Sequence, residues 1–297
     1  MALKIRNLLT KLRPYLMIGP AMTGIFLFTI YPIIRLVSLS FMNTNMLDPS
    51  KSRFVGLDNY RKVFARPDFY KALNNTLIYT VAVVASITIL ALLLAVWLNA
   101  GQSRLNRLVQ AAVFCPHVVS IVSIALIWLW MMEPNFGLFN YLLRSLGFKP
   151  LQWLSGSSTA MACVVFISVW KAVGYDTLIY LAALQGVPQS LYEAAALDNA
   201  GKAKVFFRIT LPMISPQLFF TLIIRTIASF KVFDTVRILT QGGPNNATTT
   251  LVYSIYTEAL MNLRIGYSSV LGVVLLVFIS LLTVVYFRGF SGKVHYQ

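Results

Sequence analysis

The sequence predicts an all-α integral membrane protein with six transmembrane helices and with both termini in the cytoplasm. First, 58% of the residues are hydrophobic and only 11% are charged, whereas soluble domains have about 45–50% apolar and about 25% charged residues. Second, the apolar residues are concentrated in six runs, each near the roughly 20 residues that a helix needs to cross a bilayer. Third, the short segments at the two ends of the chain are basic and contain no acid.

The six apolar runs define the predicted spans. Lipid offers the backbone no hydrogen-bond partner, so a run of this length is expected to be helical. The first run is too long for the apolar part of a signal peptide and has no small-residue cleavage site, so it is expected to remain as a span. The predicted spans are residues 15–37, 77–98, 109–130, 160–181, 213–233 and 268–287.

Lysine and arginine residues set the predicted orientation, because short basic segments lie on the cytoplasmic side of a membrane. Six spans place three short segments on one side, and all three are basic and free of acids. The segment 43–75, on the other side, is also basic, but it carries Asp48, Asp58 and Asp68 as well. The basic residues of the three short segments are Lys4, Arg6, Lys11 and Arg13, then Arg104 and Arg107, then Arg288 and Lys293.

The net charge of +16 is explained by Lys and Arg residues that flank the spans and face anionic lipid headgroups. The chain lacks a basic face with interleaved aromatic residues, so membrane lipid is an expected partner and nucleic acid is not. Two cysteines, Cys115 and Cys163, and two histidines, His117 and His295, are too few to predict a disulfide framework or a metal site.

A polar, alanine-rich segment separates the fourth and fifth spans. Pro188 is expected to end the preceding helix. Ser190 and Glu193 have the spacing of a capping box at the start of a new helix. Asn199 is the expected stop of that helix, since asparagine tolerates the left-handed conformation. A second short helix is expected over 202–210, just before the fifth span.

The same segment resembles the EAA loop of ATP-binding-cassette (ABC) importer permeases. The family pattern is E-A-A, three residues, Gly, nine residues and I-x-L-P, and every anchor from Glu193 to Pro212 has this spacing, except that Asn199 stands at the Gly. Other motifs are similar to the carbohydrate-uptake branch of these permeases, which includes the sugar and sn-glycerol-3-phosphate permeases. They are residues 54–60, 183–188, 229–234, 239–244, 266–267 and 292–297.

The resemblance implies the architecture of a type I ABC importer permease in the bacterial cytoplasmic (inner) membrane. It implies a tail over 1–14, a first transmembrane helix and extracytoplasmic segment over 15–70, and an ABC transporter type-1 transmembrane domain over 71–290 that contains the EAA loop, 186–212. The implied partners are a second permease subunit in a heterodimer, two ATPase subunits that bind the EAA loops, and an extracytoplasmic solute-binding protein. The long outer connections are expected to fold into caps that meet this binding protein, rather than to be plain solvated loops.

The chain is not expected to be an enzyme. It contains no G-x-x-x-x-G-K-[ST] phosphate loop, and residues 289–294 have the wrong spacing for one. The spans contain no cluster of His, Asp or Glu that suits nucleophilic or metal chemistry. ATP hydrolysis is therefore assigned to the separate ATPase subunits, which would also hold ATP and Mg, and no cofactor is expected in this chain.

Two interpretations of Glu193 remain open. It caps a helix, or it belongs to a small alanine face that docks in a groove of an ATPase subunit, where short side chains lose little rotamer entropy. The two are compatible, but a cap alone does not explain an alanine-rich insert that ends in I-x-L-P. The predicted ATPase-coupling residues are Glu193, Ala194, Ala195, Asp198, Asn199, Ala200, Gly201, Leu211 and Pro212.

The resemblance also implies that the spans on either side of the EAA loop line the solute cavity. Helical spacing independently predicts that the candidates on the fourth span share one face, and that Arg225, Ser229 and Val232 share a face of the fifth. The predicted substrate-binding residues are Ser168, Lys171, Ala172, Tyr175, Arg225, Ala228, Ser229 and Val232.

Lys171 and Arg225 have two candidate roles. A cation in the middle of a span costs about 2.5–3.5 kcal/mol on insertion scales and usually faces a cavity or a partner. They bind an anionic solute, to which Arg offers a bidentate fork, or they pair with an acid such as Asp176 or Asp234, or with the partner permease. Lys231 lies nearer the outer interface and is expected to snorkel toward it.

Three solute classes or functions follow from these alternatives. The first is import of a sugar or oligosaccharide, neutral or acidic. Trp128, Trp130 and Trp170 are able to stack on sugar rings, although Trp128 and Trp130 also suit the interfacial aromatic belt. The second is import of sn-glycerol-3-phosphate or a glycerophosphodiester by the same kind of machine. The third is a stand-alone secondary carrier, which would need neither a docking loop nor ATP.

Overall fold

The computed structural model describes residues 2–44, 52–101 and 103–290. Its regular structure is almost entirely helical, as the sequence predicts. Four helices are long and apolar enough to cross a membrane, and two bent helix pairs bring the number of candidate spans to six. The basic residue Lys293, the motif at 292–297, Asp48 and Lys51 lie outside the described residues.

The elements follow one another with short connections. Three segments are π-helical, namely Phe26–Ile30, Phe206–Thr210 and Thr257–Met261. The two strands, β1 (Met42–Asn43) and β2 (Arg53–Phe54), pair antiparallel. The α-helices are α1 (Ala2–Ile25), α2 (Tyr31–Ser40), α3 (Asp58–Phe64), α4 (Pro67–Asn99), α5 (Arg104–Val118), α6 (Ile121–Met131), α7 (Leu138–Ser145), α8 (Ala160–Gln185), α9 (Gln189–Leu197), α10 (Lys202–Val205), α11 (Leu211–Met213), α12 (Ser215–Phe230), α13 (Asp234–Leu239), α14 (Leu251–Tyr256) and α15 (Ile265–Phe290).

Contacts within the chain divide it into two compact units. One comprises Met1–Ala65 and Ile255–Val274, and the other comprises Arg66–Ser254 and Leu275–Gln297. The predicted first span, 15–37, lies inside the apolar stretch Pro14–Ser40 of the first unit. The EAA loop and the two spans that flank it belong entirely to the second unit.

In the first unit, the motif at 54–60 closes the end of α2. The Asn59 side chain donates hydrogen bonds to the carbonyl oxygens of Ser40, at 3.0 Å, and Met42, at 2.9 Å. The hydroxyl groups of Tyr60 and Ser40 lie 2.8 Å apart and share another hydrogen bond. Carbonyls at a helix end have no partner within the helix, so this motif is a C-cap supplied by a later segment.

We expect Asn59→Ala to lower the free energy of unfolding by about 1–3 kcal/mol, because the carbonyls of Ser40 and Met42 would lose their donor in a site where Asn59 is only 6% exposed. Thermal unfolding of the purified chain in detergent measures this loss. Asn43→Ala, at an exposed position of β1, is the matched control and is expected to unfold like the wild type. Equal melting temperatures for the two variants would contradict the capping role.

In the second unit, α4 begins at Pro67, well before the predicted start at residue 77. Arg66 is extended, as residues before proline usually are, and Pro67 occupies the first turn of the helix, where its missing N–H removes no intrahelical bond. Asp68 in the same turn faces the positive end of the helix dipole. These polar start signals lengthen the helix beyond its apolar run.

The prediction of one continuous helix over 109–130 is wrong. α5 and α6 meet at an angle of 100°, and Val119 and Ser120 between them have extended backbones. Pro116 lies in the last turn of α5, where a proline removes one intrahelical hydrogen bond and crowds the preceding turn. The third span is therefore broken, and carbonyl groups at the end of α5 are left without helical partners.

The prediction for 213–233 is also wrong at both ends. α11 and α12 are bent by 66°, and α12 begins at Ser215 with Pro216 in its first turn. A proline ring fits there but prevents α11 from continuing straight into α12. α12 ends at Phe230, and a short non-helical stretch precedes α13. The predicted short helix 202–210 is confirmed in extent, since α10 and a π-helical segment cover it.

The core of the second unit forms where α8 packs along α4. In one cluster, Tyr79 and Ile87 of α4 meet Val164 and Ile167 of α8. A second cluster, nearer the EAA loop, joins small residues of α4 to α8 and α12. It contains Ala91, Ala95, Leu98, Tyr180, Leu181, Leu184 and Ile214. This packing fixes the two helices that flank the loop against one long support.

The connection between α6 and α8 is a folded cap rather than a plain loop, as predicted. Asn140 of α7 is fully buried, and its side-chain amide donates to the carbonyls of Pro134 and Leu151, both at 2.9 Å. At the start of the cap, the Glu133 carboxylate accepts backbone N–H bonds from residues 136 and 135, which hold its pKa below the usual value. The predicted amphipathic helix 138–146 is confirmed as α7.

Candidate functional site

The first helix of the EAA loop, α9, begins differently from the prediction. Its N-cap is Pro188, and no side chain makes a capping hydrogen bond there. Ser190 lies inside the helix, so the predicted capping box with Glu193 is wrong. Glu193 is instead exposed on the helix surface, which leaves its carboxylate available for contact with another protein.

The end of α9 has the predicted geometry. Asn199 adopts the left-handed conformation, with φ of 52°. The N–H of Ala200 donates to the carbonyl of Ala195 at 2.9 Å, and the N–H of Asn199 donates to the carbonyl of Ala196 at 3.0 Å. This pair of bonds is a Schellman motif, in which asparagine replaces the more usual glycine. The departure from the family pattern at Asn199 is therefore accommodated without loss of the turn.

The predicted ATPase-coupling residues differ in exposure. Ala195 is buried against the rest of the unit, and Ala200, Leu211 and Pro212 are half-buried. The remaining members are exposed, namely Glu193, Ala194, Asp198, Asn199 and Gly201. The sequence analysis missed two apolar side chains on the same surface, Leu197 and Phe207, which are 90% and 64% exposed. Large apolar residues in a polar insert were the available signal for them.

Lys171 of α8 lies at the break between α5 and α6. Its Nζ atom donates to the carbonyl oxygens of Val119 at 2.9 Å, His117 at 3.1 Å and Pro116 at 3.4 Å. These carbonyls belong to the end of α5, which carries the negative pole of the helix dipole. The ammonium group therefore has both its hydrogen bonds and its counter-charge from the backbone.

Arg225 of α12 forms a bidentate ion pair with Asp176 of α8. The Nη2 and Nε atoms of Arg225 lie 2.6 Å and 3.0 Å from Oδ1 of Asp176, and Nε lies 2.8 Å from Oδ2. The Asp176 side chain is 1% exposed and the Arg225 side chain is 18% exposed. Of the two acids considered as partners, Asp176 is thus the one that pairs, and Asp234 is exposed in the first turn of α13.

Aromatic rings connect the two cations. The Tyr175 ring stacks on His117 with centroids 4.5 Å apart, and the Arg225 guanidinium lies 5.4 Å from the Tyr175 centroid. Arg225 over the ring face is a cation–π contact. Neither His117 nor Asp176 was predicted as a site residue, because their roles depend on how α5 and α8 pack. We call Lys171, Tyr175, Asp176, Arg225 and His117 the charged cluster.

The other predicted substrate-binding residues do not join this cluster. Ser168 accepts a hydrogen bond from Tyr79 of α4 at 2.8 Å, and Ala172 packs against the adjoining core. Ala228 is exposed, whereas Ser229 is only 6% exposed. Val232 lies beyond the end of α12, so the prediction that it shares a helical face with Arg225 and Ser229 is wrong.

The tryptophans also separate. Trp128 is 9% exposed and packs edge-on against Trp170 and Phe166, each with ring centroids 5.4 Å away. It is a core residue, so neither an interfacial position nor sugar stacking describes it. Trp130 is 56% exposed and Trp170 is 38% exposed. Among the predicted stacking residues, only these two present ring surface outside the unit.

We expect Arg225→Ala to lower the free energy of unfolding by about 3–5 kcal/mol, because it leaves the buried Asp176 carboxylate without a counter-charge. Lys231→Ala removes an exposed cation six residues further on and is expected to stay within about 0.5 kcal/mol of the wild type. Unfolding of the purified chains in detergent, followed by circular dichroism, compares the two. Similar stability of both variants would refute a structural role for the ion pair.

Comparison with known proteins gives a consistent result. A family model described as "Binding-protein-dependent transport system inner membrane component" matches residues 87–294. The sn-glycerol-3-phosphate transport system permease protein UgpA of Pectobacterium atrosepticum is 37% identical over 289 residues, 96% of each chain. The sulfoquinovosyl glycerol transport system permease protein SmoG of Agrobacterium fabrum is 34% identical over 283 residues, 95% of this chain and 92% of the relative.

Solved structures agree with these relatives. A chain from a bacterial ABC transporter involved in the import of the acidic polysaccharide alginate superposes with a TM-score of 0.82 and 26% identity, over 96% of this chain and 99% of the other. A second structure, of a bacterial alginate ABC transporter in complex with an alginate pentasaccharide-bound periplasmic protein, gives a TM-score of 0.80 over 95% and 97% of the chains, also at 26% identity.

Proposed function

The chain belongs to the family of binding-protein-dependent transport system inner membrane components, and from this premise we propose its partners and the class of its solute. It is a permease component of an ABC importer and resides in the inner membrane. We propose that it pairs with a second permease subunit, that two ATPase subunits bind the EAA loops, and that these subunits alone carry ATP and Mg. The EAA loop and both termini then face the cytoplasm.

The exposed surface of α9 supports the proposed coupling role. Since Glu193 makes no capping bond, its carboxylate and the adjacent Ala194 are free to contact an ATPase subunit. Leu197 and Phe207 add apolar area that a docked partner would remove from water. A stand-alone carrier would have no use for an apolar surface at this position.

We propose a sugar or oligosaccharide as the solute. The single observation that carries this choice is the pairing of both intramembrane cations within the chain, Arg225 with Asp176 and Lys171 with backbone carbonyls. A cluster neutralised in this way has no need of an anionic solute. The half-exposed rings of Tyr175 and Trp170 offer the flat apolar surfaces on which sugar rings stack.

A second candidate is sn-glycerol-3-phosphate or a related glycerophosphodiester. The permease UgpA supports it through 37% identity over nearly the whole chain. For this solute, a phosphate group would have to displace Asp176 from Arg225 or carbonyls from Lys171. Such an exchange costs free energy that a neutral sugar does not require.

ATP hydrolysis by the reconstituted importer separates these candidates. The complex of this chain, its partner permease, the ATPases and the binding protein is placed in liposomes and exposed in turn to a neutral oligosaccharide, an acidic oligosaccharide and sn-glycerol-3-phosphate. We expect a neutral or acidic oligosaccharide to stimulate hydrolysis. Stimulation by sn-glycerol-3-phosphate alone would establish the second candidate, and uptake that proceeds without ATP would overturn the importer assignment.

A further inference from the structure

Side chains link the helix before the EAA loop to the helix after it at regular intervals. Asp176 of α8 pairs with Arg225 of α12, and one turn closer to the loop Tyr180 shares a 2.7 Å hydrogen bond with Thr221. From the first pair to the second, the residue number rises by four on α8 and falls by four on α12. This is the register of two antiparallel helices that meet along one face of each.

The same pattern continues into the loop. Leu184 of α8 joins Ile214 and Leu218 in the apolar cluster next to α4. Beyond it, the hydroxyl groups of Tyr192 in α9 and Thr210 lie 3.2 Å apart and share a hydrogen bond. The links therefore extend from the charged cluster to the EAA loop, and we call the four of them the side-chain ladder.

Most atoms of the ladder are removed from solvent. Asp176 is 1% exposed, Tyr180 is 0% exposed and Thr221 is 3% exposed. Hydrogen bonds and ion pairs are stronger in such surroundings, and a partner left unpaired there is costly. The backbones of α8 and α12 pack mainly on α4 and approach each other only over a short stretch. Side-chain links, rather than close backbone packing, therefore hold α8 to α12.

We propose that α8, the EAA loop and α12 move as one rigid lever, with the ion pair between Asp176 and Arg225 as the latch at the end farthest from the loop. This inference rests on the proposed function, because it assumes that ATPase subunits displace the loop. The latch lies beside Lys171 and Tyr175, so a displacement of the loop would reach the solute cavity without being absorbed by sliding between the two helices. Asp176 and Arg225 are thus positioning residues.

Paired variants test the latch without leaving a buried charge. Asp176→Leu with Arg225→Met removes both charges, a change that well-packed apolar residues often tolerate. Asp176→Arg with Arg225→Asp keeps the ion pair with its polarity reversed. Spin labels are attached at Phe166 on α8 and Phe220 on α12, both more than half exposed, after Cys115 and Cys163 are replaced by serine. Pulsed electron resonance on the full complex then gives the distance between the helices.

The distance is measured without nucleotide and after trapping with ATP, Mg and vanadate. We expect one distance in both states for the wild type and for the charge-reversed pair. For the apolar pair, trapping is expected to broaden the distribution and to shift it by about 1–2 Å or more, the size of helix shifts in switching proteins. An apolar pair that behaves like the wild type overturns the lever. So does a charge-reversed pair that assembles and traps nucleotide but shows the shift of the apolar pair.

Two further measurements keep the proposal decidable. If neither double variant assembles, Tyr180→Phe with Tyr192→Phe removes the hydroxyl groups of two other links, and an unchanged distance on trapping counts against the lever. Nucleotide trapping by the wild-type complex is measured first. A complex that traps none removes the proposed function and the lever together, whereas normal trapping with no difference among variants removes the lever alone.

Discussion

Replacing Gly174 with leucine is expected to abolish accumulation of the folded chain. A Cβ atom at this position of α8 would lie 1.9 Å from the carbonyl oxygen of Val113 and 2.9 Å from Cα of Phe114, both in α5. These are backbone atoms, so no side-chain rotation can relieve the overlap. α5 would have to move away from α8, and the carbonyls that hold Lys171 would move with it.

The size of the effect is expected to grow with the side chain. Gly174→Ala should cost at least about 1–3 kcal/mol, the usual range for overpacking in a tight core, and leucine should leave little protein in the membrane fraction. Gly24→Leu is the matched control, because a Cβ at Gly24 in α1 meets no atom within 4 Å. Quantitative blotting of membrane fractions, followed by melting in detergent, compares the variants. Wild-type amounts of Gly174→Leu would show that α5 and α8 do not pack as described.

Glu193→Lys is expected to abolish ATP-driven transport while the chain still inserts in the membrane. Glu193 is exposed on α9 and forms no capping bond, so its replacement should leave the fold near wild-type stability. A lysine there would place a cation where the proposed ATPase groove receives a carboxylate. Unpaired charges at the centre of an interface typically cost several kcal/mol.

Two measurements follow this prediction. Transport is assayed in the reconstituted complex, and co-purification of the ATPase subunits with the permease is assayed in detergent. Glu193→Gln keeps the shape without the charge, so it should retain part of both activities. Normal transport by Glu193→Lys would exclude Glu193 from coupling, and loss of the chain from the membrane would show that the residue supports the fold instead.

Hydropathy alone was enough to locate the membrane-spanning segments, but not their shape. A window average records how apolar a segment is, and it carries no information about direction, so the 100° turn after α5 and the 66° turn before α12 were missed. Pro116 and Pro216 were the signals for both turns. A proline in an apolar run deserves weight as a bend, even when the run is long enough for one helix.

Local turn chemistry was predicted well at one end of α9 and badly at the other. Asn199 has few conformations that stop a helix, so its left-handed geometry could be anticipated. The start is ambiguous because Pro188 and Ser190 are both acceptable near a helix N-terminus. A shift of two residues turned the predicted cap, Ser190, into an interior residue.

The candidate site divides in the same way. Pairing of Arg225 with Asp176 was one of the alternatives that the sequence left open, since a buried cation needs an acid within reach. The partners of Lys171 could not be foreseen, because they are backbone carbonyls that become available only through the break after α5. His117 was missed for the same reason, as its ring meets Tyr175 only once α5 lies against α8.

The backbone anchoring of Lys171 has a consequence for how such chains diverge. Main-chain carbonyls are present whatever the side chains of Pro116, His117 and Val119 become, so a substitution at Lys171 requires no matching change elsewhere in the chain. Asp176 and Arg225 have no such freedom, because a change in one strands the other. Among relatives, position 171 should therefore vary independently, whereas positions 176 and 225 should covary.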